Sequence, residues 1–257
     1  MIYGDNRWTD IEDIEKQTTV VVCPLAALEQ HGFHLPLLTD TYITTAIAQA
    51  VEANMPDDVL LVPTMWMGAS DHHMDFPGTI SLPNSLYSKV IKAFCLSLVS
   101  AGFEKILLLN GHGGNVAPGT SAITELACDH DACDDAYIAF ASYWEVAAEA
   151  LKPEKHGIQS AGLSHACEYE TSMMLHLHGD LVALNRAEGN TTLEFDDLPG
   201  VNVASRFYRR TASGAMGNPE HATAEKGASL IAASIESITQ LVTKMREWPA
   251  KPVLGPA

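Results

Sequence analysis

The sequence ILLLNGHGGN, residues 106–115, indicates the fold class of the whole chain. Residues 106–109 are all apolar, as in a strand that is buried on both faces of a parallel sheet. Glycines on both sides of His112 permit a tight turn after that strand, and the apolar spacing of residues 118–128 predicts a helix after the turn. A buried strand that leads through a glycine-rich turn into a helix is the repeating unit of an α/β protein.

Segments of the same two kinds alternate on either side of this unit. Apolar runs rich in Val, Ile and Leu predict strands, and longer segments with helical apolar spacing predict helices. The predicted strands are residues 18–24, 59–63, 106–109 and 135–143, and the predicted helices are residues 42–55, 84–101, 118–128, 168–178 and a long helix from residue 224. This order favours an α/β fold with a mainly parallel sheet that is covered on both faces.

No internal repeat or linker-like change of composition interrupts the chain, so we expect a single domain over residues 1–257. Residues 185–219 are the exception to the α/β pattern, because they are rich in Gly, Asn, Thr and Asp and show weak periodicity. They could form a long excursion, a hairpin arm or an oligomer contact. Long loops in compact domains are often functional.

The composition argues against several classes of protein. A chain of 257 residues with 47% hydrophobic residues can bury a large core, and its formal net charge of −17 repels phosphate backbones and anionic lipids. No apolar run reaches the roughly 18 residues of a membrane span, and the N-terminal residues lack the pattern of a signal peptide. Five cysteines without a C-x-x-C spacing indicate neither a disulfide framework nor a thiolate zinc site. We therefore expect a cytoplasmic protein without nucleic-acid or membrane partners.

Polar residues cluster where predicted strands end, at the edge where open α/β sheets bind ligands. After the first strand come Glu29 and His31, whose side chains leave an extended backbone on the same face. Asp40, in the turn before the next helix, can reach back to them. Each residue also has a structural explanation, since Asp40 could cap the helix, Glu29 could be solvated, and a lone histidine usually packs as a hydrogen-bonded residue.

His112 strengthens the expectation of a metal site, because it follows a second strand that ends at the same edge. The glycines around it allow close approach of the backbone, and the helix after them offers free N–H groups to an anion or oxyanion. A phosphate-binding loop is the competing interpretation of these glycines. Neither G-x-G-x-x-G nor the Lys-Ser/Thr pair of a P-loop is present, however.

Two further segments contain unusual polar residues. His165, Glu168 and Glu170 lie at the start of a predicted helix, where a carboxylate also interacts favourably with the helix dipole, which explains one of the two. A polar, turn-rich loop after the second strand contains the adjacent His72 and His73. Because adjacent histidines in a loop cannot easily bind one ion together, we interpret this loop as a pocket wall or a subunit contact.

The order and spacing of these motifs resemble those of the creatininase family of amidohydrolases. The similarity covers about residues 20–177 and extends to residues 222–227 near the end of the chain. The matching motifs are Leu28-Glu29-Gln30-His31-Gly32, His34-Leu35-Pro36, Thr39-Asp40, FPGTI at residues 76–80, NGHGGN at residues 110–115, His165 and Glu170-Thr171-Ser172. The resemblance implies a three-layer α/β/α fold with a two-metal site at the carboxyl edge of the parallel sheet. It also implies a homo-oligomer, which by family resemblance is a hexamer.

The resemblance assigns metal ligands as well. Glu29 and His112 resemble the ligands of one metal, His31 and Glu170 those of the other, and Asp40 the carboxylate that bridges the two. Two imidazoles and three carboxylates, with no soft sulfur ligand, suit two divalent ions of Zn, Mn or Fe. Two such ions can hold a bridging hydroxide near neutral pH, and this hydroxide is the expected nucleophile.

Further expected roles concern protons and charge at the reacting amide. His165 resembles the family residue that handles protons, and an imidazole titrates near neutrality. The backbone N–H groups of Gly113 and Gly114 are weaker candidates for stabilising the tetrahedral oxyanion. Glu168 is a weaker candidate for a substrate contact and an alternative to Glu170 as the metal ligand.

Departures from creatininase itself point to another substrate. Creatininase has a bulky aromatic and an acidic residue where this chain has Gly113 and Gly114, and a tryptophan near its counterpart of His165, where residues 159–164 contain no aromatic side chain. The Gly-Gly form resembles family members that deformylate formamides or trim a peptide. We predict an amidohydrolase that cleaves a cyclic amide or formamide C–N bond of a small molecule. The alternatives are hydrolysis of a C–C or C–O bond in an inosose-type cyclic ketone or lactone, and a catalytically idle scaffold that binds a metal or ligand.

Overall fold

A four-stranded parallel sheet lies at the centre of the part of the chain that the structure describes. The computed structural model describes residues 1–189 and 203–252. The strands are β1 (Val20–Leu25), β2 (Val59–Leu61), β3 (Lys105–Asn110) and β4 (Tyr137–Ser142), in the sheet order β2-β1-β3-β4. Val22 of β1 lies opposite Leu61 of β2 and Leu107 of β3. Because every pair is parallel, the carboxyl ends of the strands meet at one edge.

Helices connect and cover the strands. They are α1 (Trp8–Asp13), α2 (Thr39–Asn54), α3 (Asn84–Ser100), α4 (Val116–Asp129), α5 (Tyr143–Val146), α6 (Pro153–His156), α7 (Glu168–His178) and α8 (Ala224–Arg246). None of the helices within the described residues is long and apolar enough to cross a membrane.

The two faces of the sheet are covered by different helices, because alternate residues of a strand point to opposite faces. Val20 and Val22 of β1 belong to a hydrophobic cluster that contains residues of α2, α7 and α8. Val21 and Cys23 belong to a second cluster, which contains residues of α3 and α4. The sheet therefore lies between two helical layers, and the predicted three-layer α/β/α fold is confirmed.

Several predicted boundaries differ from the structure by one to three residues. Helix α2 begins at Thr39 rather than at residue 42, and its N-cap residue is Leu38, so the alternative that Asp40 caps this helix is wrong. Strand β2 ends before Pro63, which has no N–H to donate to the sheet. Strand β4 ends at Ser142, because α5 begins at the next residue.

The excursion predicted for residues 185–219 falls partly outside the described residues, which resume at residue 203. In its described part, one turn of 3-10 helix, Phe207–Arg209, returns the chain to the carboxyl edge of the sheet. Farther along, the N–H of Met216 donates to the carbonyl of His165 at 2.9 Å. A hairpin arm or an oligomer contact in this region stays a prediction.

Candidate metal centre

Five predicted ligands meet beyond the carboxyl ends of β1 and β3. Glu29 and His31 follow β1, and His112 follows β3. Asp40 comes from the first turn of α2, and Glu170 comes from the first turn of α7. All five side chains are buried, and all except His31 line a cavity of about 340 Å³.

The loop after β1 fixes the direction of Glu29 and His31. The backbone N–H of Glu29 donates to the carbonyl of Leu37 at 3.0 Å. Gly32 has a φ of 68°, a left-handed conformation that residues with a Cβ rarely adopt. The chain therefore turns back directly after His31 and leads towards the start of α2.

Asp40 lies between two imidazoles. Its Oδ1 is 3.0 Å from Nε2 of His31, and its Oδ2 is 3.0 Å from Nδ1 of His112. The two oxygens of one carboxylate thus face nitrogen atoms that come from different strand ends. This is the arrangement that a bridging carboxylate requires.

The second nitrogen of each imidazole holds the ring in place. Nδ1 of His31 donates to the carbonyl of Glu29 at 3.1 Å, and Nε2 of His112 donates to the carbonyl of Ala69 at 3.2 Å. A histidine ligand usually donates its other N–H to an oxygen in this way, which fixes the ring orientation. Both rings therefore present a nitrogen to Asp40.

Glu170 is placed by an unusual backbone conformation. The N–H of Ala166 donates to Oε2 of Glu170 at 2.5 Å. Ala166 has a φ of 50°, a left-handed conformation that costs about 1–2 kcal/mol for a residue with a Cβ. The surrounding structure thus holds a strained residue where its N–H meets the carboxylate.

The carboxylates and imidazoles shift one another's pKa values in a way that favours positive charge around Asp40. Burial raises the pKa of Glu29 above its ordinary value and the pKa of Glu170 to about 8. Burial would also raise the pKa of Asp40, but attraction to His31 and His112 outweighs it and holds that pKa well below its usual range. Burial would lower the pKa values of both imidazoles, but nearby carboxylates raise the value of His31 to about 10 and that of His112 to about 9.

Buried oxygen atoms without partners test whether a metal fits this cluster. Oε2 of Glu29 and Oδ2 of Asp40 have no hydrogen-bond partner among the described residues. Nδ1 of His112 is near Oδ2 of Asp40 but is not aligned to donate to it. A buried carboxylate oxygen without a partner is costly, and a bound cation offsets that cost. The residues present therefore fit divalent metal ions.

Ligand atoms fall into close groups of three. In one group, the ligand atoms of His31, Asp40 and Glu170 all lie within 4.8 Å of one another. Glu29 and His112 form a second group, which also includes His72. A third group, Glu29, His31 and His165, shares a residue with each of the other two. The first two groups contain the ligands that the sequence predicts for two metal positions, with His72 as an additional histidine.

Glu168 does not join the ligands, although it lies two residues from Glu170 and is fully buried. Its Oε1 is 2.6 Å from Nζ of Lys226, and its Oε2 accepts hydrogen bonds from the N–H groups of Gln159 and Ser160 at 2.8 and 2.9 Å. These contacts give Glu168 a structural role. The structure thus places Glu170, and not Glu168, beside His31 and Asp40.

Gly113 and Gly114 both line the cavity, but only one position is sterically restricted. A Cβ on Gly113 would meet no atom within 4 Å. A Cβ on Gly114 would overlap the carbonyl of Ala69 and Nε2 of His112. The proposed oxyanion role of their N–H groups stays a prediction.

His165 faces Glu29 from the wall of the cavity. Its Nδ1 is 3.5 Å from Oε1 of Glu29, and its Nε2 donates to the carbonyl of Gln30 at 2.8 Å. Burial, together with repulsion from His31 and His73, lowers the pKa of His165 well below its ordinary value. The imidazole is therefore neutral near pH 7.

The sequence did not indicate how many histidines reach this site. His72 and His73 lie on a turn of 3-10 helix, Asp71–His73, and both line the cavity. Nε2 of His73 is 3.4 Å from Oε1 of Glu29, and its Nδ1 accepts a hydrogen bond from Gln30 at 2.8 Å. The expected pocket wall is confirmed, and a subunit contact there stays a prediction.

Phe207, in the C-terminal part of the chain, packs against two histidines of the site. Its buried ring lies 4.2 Å from the ring of His73 and 4.7 Å from the ring of His165, measured between centroids. An aromatic side chain therefore packs on His165, although residues 159–164 contain none. Phe207 had no sequence signal, because it lies within the segment of weak periodicity.

Comparison with known proteins assigns the family. The sequence profile of the Creatininase family, described as creatinine amidohydrolase, matches residues 5–242. The chain belongs to the creatininase family. It is thus a metal-dependent amidohydrolase of that family, as the motifs predicted.

Three known proteins are similar to this creatininase-family protein over most of its length. The mycofactocin precursor peptide peptidase of Mycobacterium ulcerans (strain Agy99) is 30% identical over 241 residues, which cover 90% of this chain and 86% of the relative. The creatinine amidohydrolase of Pseudomonas putida is 27% identical over 263 residues, with 96% of each chain covered. A crystal structure of creatinine amidohydrolase (creatininase) superposes with a TM-score of 0.78 at 25% identity and covers 96% of this chain and 98% of that one.

Proposed function

We propose that this protein hydrolyses a C–N bond of a small cyclic amide or formamide with two divalent metal ions. Glu29 and His112 would hold one ion, His31 and Glu170 the other, and Asp40 would bind both. The observation that carries the proposal is the position of Asp40, whose two oxygens each lie 3.0 Å from a different buried imidazole. Zn²⁺, Mn²⁺ and Fe²⁺ all suit this set of nitrogen and oxygen donors.

The chemistry requires an activated water, a polarised carbonyl and a proton for the leaving nitrogen. Two bound divalent ions supply the first two by acidifying water and by acting as Lewis acids. The chain itself orients the donors through hydrogen bonds at the second nitrogen of each histidine ligand. Asp40 keeps the two sets of donors together, because it contacts a histidine from each.

His165 is the residue that we assign to proton transfer. Its Nε2 is bound to the carbonyl of Gln30, so Nδ1, which faces Glu29, is the free acceptor. In the neutral form this nitrogen can take the proton of the attacking water and then deliver it to the nitrogen that leaves. The N–H groups of Gly113 and Gly114 line the same cavity and are the candidates for binding the oxyanion.

Small substrates suit the site best. The cavity of about 340 Å³ is also lined by Trp144, Phe207 and Arg210. It lies near the lower limit of typical small-molecule sites, which range over roughly 300–1,000 Å³. Cyclic amides and formamides are of this size.

A peptide substrate is the second candidate function. The observation that favours it is the 30% identity to a protein named a mycofactocin precursor peptide peptidase. The same catalytic groups would serve both substrates, because an amide and a peptide bond break by the same proton transfers. We also propose a cytoplasmic homo-oligomer, a hexamer by family resemblance, without nucleic-acid or membrane partners. Light scattering of the purified protein would measure the oligomer.

A metal-reconstitution assay tests the proposal. The protein is stripped with a chelator, reloaded with Mn²⁺ or Zn²⁺, and incubated with creatinine, formamidopyrimidines, hydantoins, lactams, inosose-type ketones and short peptides. We expect metal-dependent release of an amine or formate from one amide or formamide. Hydrolysis of only a ketone or a peptide would overturn the substrate class. A protein that retains no metal and gains no activity on reloading would overturn the enzyme proposal and favour an idle scaffold.

A further inference from the structure

We infer that His72 is a metal ligand, together with Glu29 and His112. The inference rests on the proposed two-metal site and adds a sixth residue to its five ligands. It also makes the two metal positions chemically different from each other.

Distances place His72 in the group of donors around Glu29. The candidate ligand atoms of Glu29, His72 and His112 all lie within 4.8 Å of one another. Donors about 2.0–2.2 Å from one ion are separated by no more than about 4.4 Å when they lie on opposite sides of it, so small shifts suffice for binding. The rings of His72 and His112 are nearly parallel, with 14° between their planes and 5.9 Å between their centroids.

A buried carboxylate oxygen without a hydrogen-bond partner lies within the same group. Glu29 is 1% exposed, and its Oε2 has no hydrogen-bond partner among the described residues, although it lies 3.4 Å from Nε2 of His112. His31 and Asp40 belong to the other group, with Glu170. A cation between Glu29, His112 and His72 would satisfy the free oxygen without taking a ligand from that group.

Gly114 makes the approach of His72 possible. A Cβ on Gly114 would lie 2.8 Å from Cε1 of His72 and would overlap Nε2 of His112. Real Cβ atoms do not come this close to other atoms, so only glycine leaves both imidazoles in place. The neighbouring Gly113 has no such restriction, since a Cβ there would meet nothing within 4 Å.

Adjacent histidines need not bind the same ion. His73 points to Gln30 and to Oε1 of Glu29, while His72 points towards His112. The turn of 3-10 helix that carries them directs the two rings to different neighbours. Hence His73 positions Glu29, and His72 is left for the metal.

The two metal positions then differ in their donors. One has two imidazoles, His72 and His112, with the carboxylate of Glu29. The other has one imidazole, His31, with the carboxylate of Glu170. Imidazole nitrogen suits Zn²⁺, whereas carboxylate-rich positions suit Mn²⁺. We therefore expect the position at His72 to prefer zinc.

The test is the metal content of His72→Phe, which keeps a ring and removes both nitrogen atoms. Stripped protein is reloaded with Zn²⁺, dialysed against metal-free buffer and analysed by mass spectrometry, and zinc affinity is measured by competition with a chelating dye. We expect two ions per chain in the wild type and one in the variant, with affinity at the affected position lowered by roughly 100-fold or more. The visible absorption of Co²⁺-loaded protein should change for one ion only.

Further variants separate ligand loss from misfolding. Gly114→Ala should also lose one ion, because its Cβ would displace His72 and His112. Gly113→Ala and His221→Ala should keep both ions. His72→Asp, which supplies a carboxylate, should regain part of the lost affinity. Two ions with wild-type affinity in His72→Phe would overturn the inference and leave the proposed function intact. A wild type that binds no metal would overturn both.

Discussion

Glu168 and Glu170 lie two residues apart in the first turn of α7, yet their surroundings are opposite. Burial acts to raise the pKa of Glu168, but Lys226 and two backbone N–H groups outweigh it, so the pKa is lowered. Glu170 has one N–H donor and faces the buried carboxylate of Asp40, and burial raises its pKa to about 8. Both side chains are buried, but only Glu168 has a lysine and two backbone N–H groups as partners.

This contrast separates a buried carboxylate that the protein itself neutralises from a buried carboxylate in a cluster that suits a cation. Around Glu168, the charge and the hydrogen-bond acceptors are balanced by groups of the protein itself. Around Glu170, three carboxylates meet, and two of their oxygens have no hydrogen-bond partner among the described residues. Proteins rarely retain such a cluster unless a cation completes it.

Asp40→Asn should have the largest effect, because it removes charge from the residue that both metal positions share. We expect metal content to fall from two ions per chain to nearly none, and kcat to fall by more than about 10³-fold. Metal analysis and the hydrolysis assay measure these changes. Glu168→Gln is the matched control, since it removes one buried carboxylate charge from the balanced region. An Asp40→Asn protein that kept both ions would break the contrast between the two regions.

His165→Ala should have the next largest effect, because it removes the proton carrier and leaves all proposed ligands intact. Metal content should stay at the wild-type level, while kcat falls by roughly 10²- to 10⁴-fold. Substrates whose leaving group needs no protonation should be affected much less. If metal content falls and kcat per bound metal pair is unchanged, His165 supports the ligands and the catalytic assignment is wrong.

The matched pair Glu168→Gln and Glu170→Gln tests the contrast directly in metal-free protein. Glu168→Gln should lower the free energy of unfolding by about 2–3 kcal/mol, since Lys226 loses its buried partner. Glu170→Gln should instead raise it at pH 7, by up to about 3 kcal/mol, because glutamine resembles the protonated acid and carries no cost of keeping the carboxyl protonated above pH 4.5. Urea denaturation of both variants measures the difference. Equal losses would show that the two carboxylates have the same role.

A pH dependence of stability in metal-free protein follows from the same raised pKa of Glu170. A carboxyl whose pKa is raised from 4.5 to about 8 on folding stabilises the protein fully below pH 4.5 and loses that contribution as the pH rises to about 8. The free energy of unfolding of the wild type relative to Glu170→Gln should therefore fall between these pH values. A constant difference across this window would mean that Glu170 is ionised in the folded protein.

Much of the fold was predictable, because periodicity and strand ends are local properties of the sequence. The apolar residues 106–109 and the helix over residues 84–101 were placed to within two residues. The predicted strand ends also indicated that Glu29, His31 and His112 lie at one edge of the sheet. The prediction that Asp40 is a shared ligand came from the family resemblance, since local patterns also allowed a helix cap.

Residues that depend on distant contacts were not predictable. The choice between Glu168 and Glu170 depends on Lys226, which lies 58 residues beyond Glu168. The orientation of His72 depends on a 3-10 turn and on the missing Cβ of Gly114, neither of which shows a periodic pattern. Phe207 reaches His73 and His165 only because the chain returns to the sheet edge after residue 203.

The most direct test of the central claim is anomalous X-ray scattering from crystals of the metal-loaded protein. The claim is that the unbalanced cluster of carboxylates and imidazoles holds two ions that share Asp40. We predict two anomalous peaks about 3.5–4 Å apart, one beside Glu29 and His112 and the other beside His31 and Glu170. A single peak, or two peaks that do not both contact Asp40, would contradict the claim.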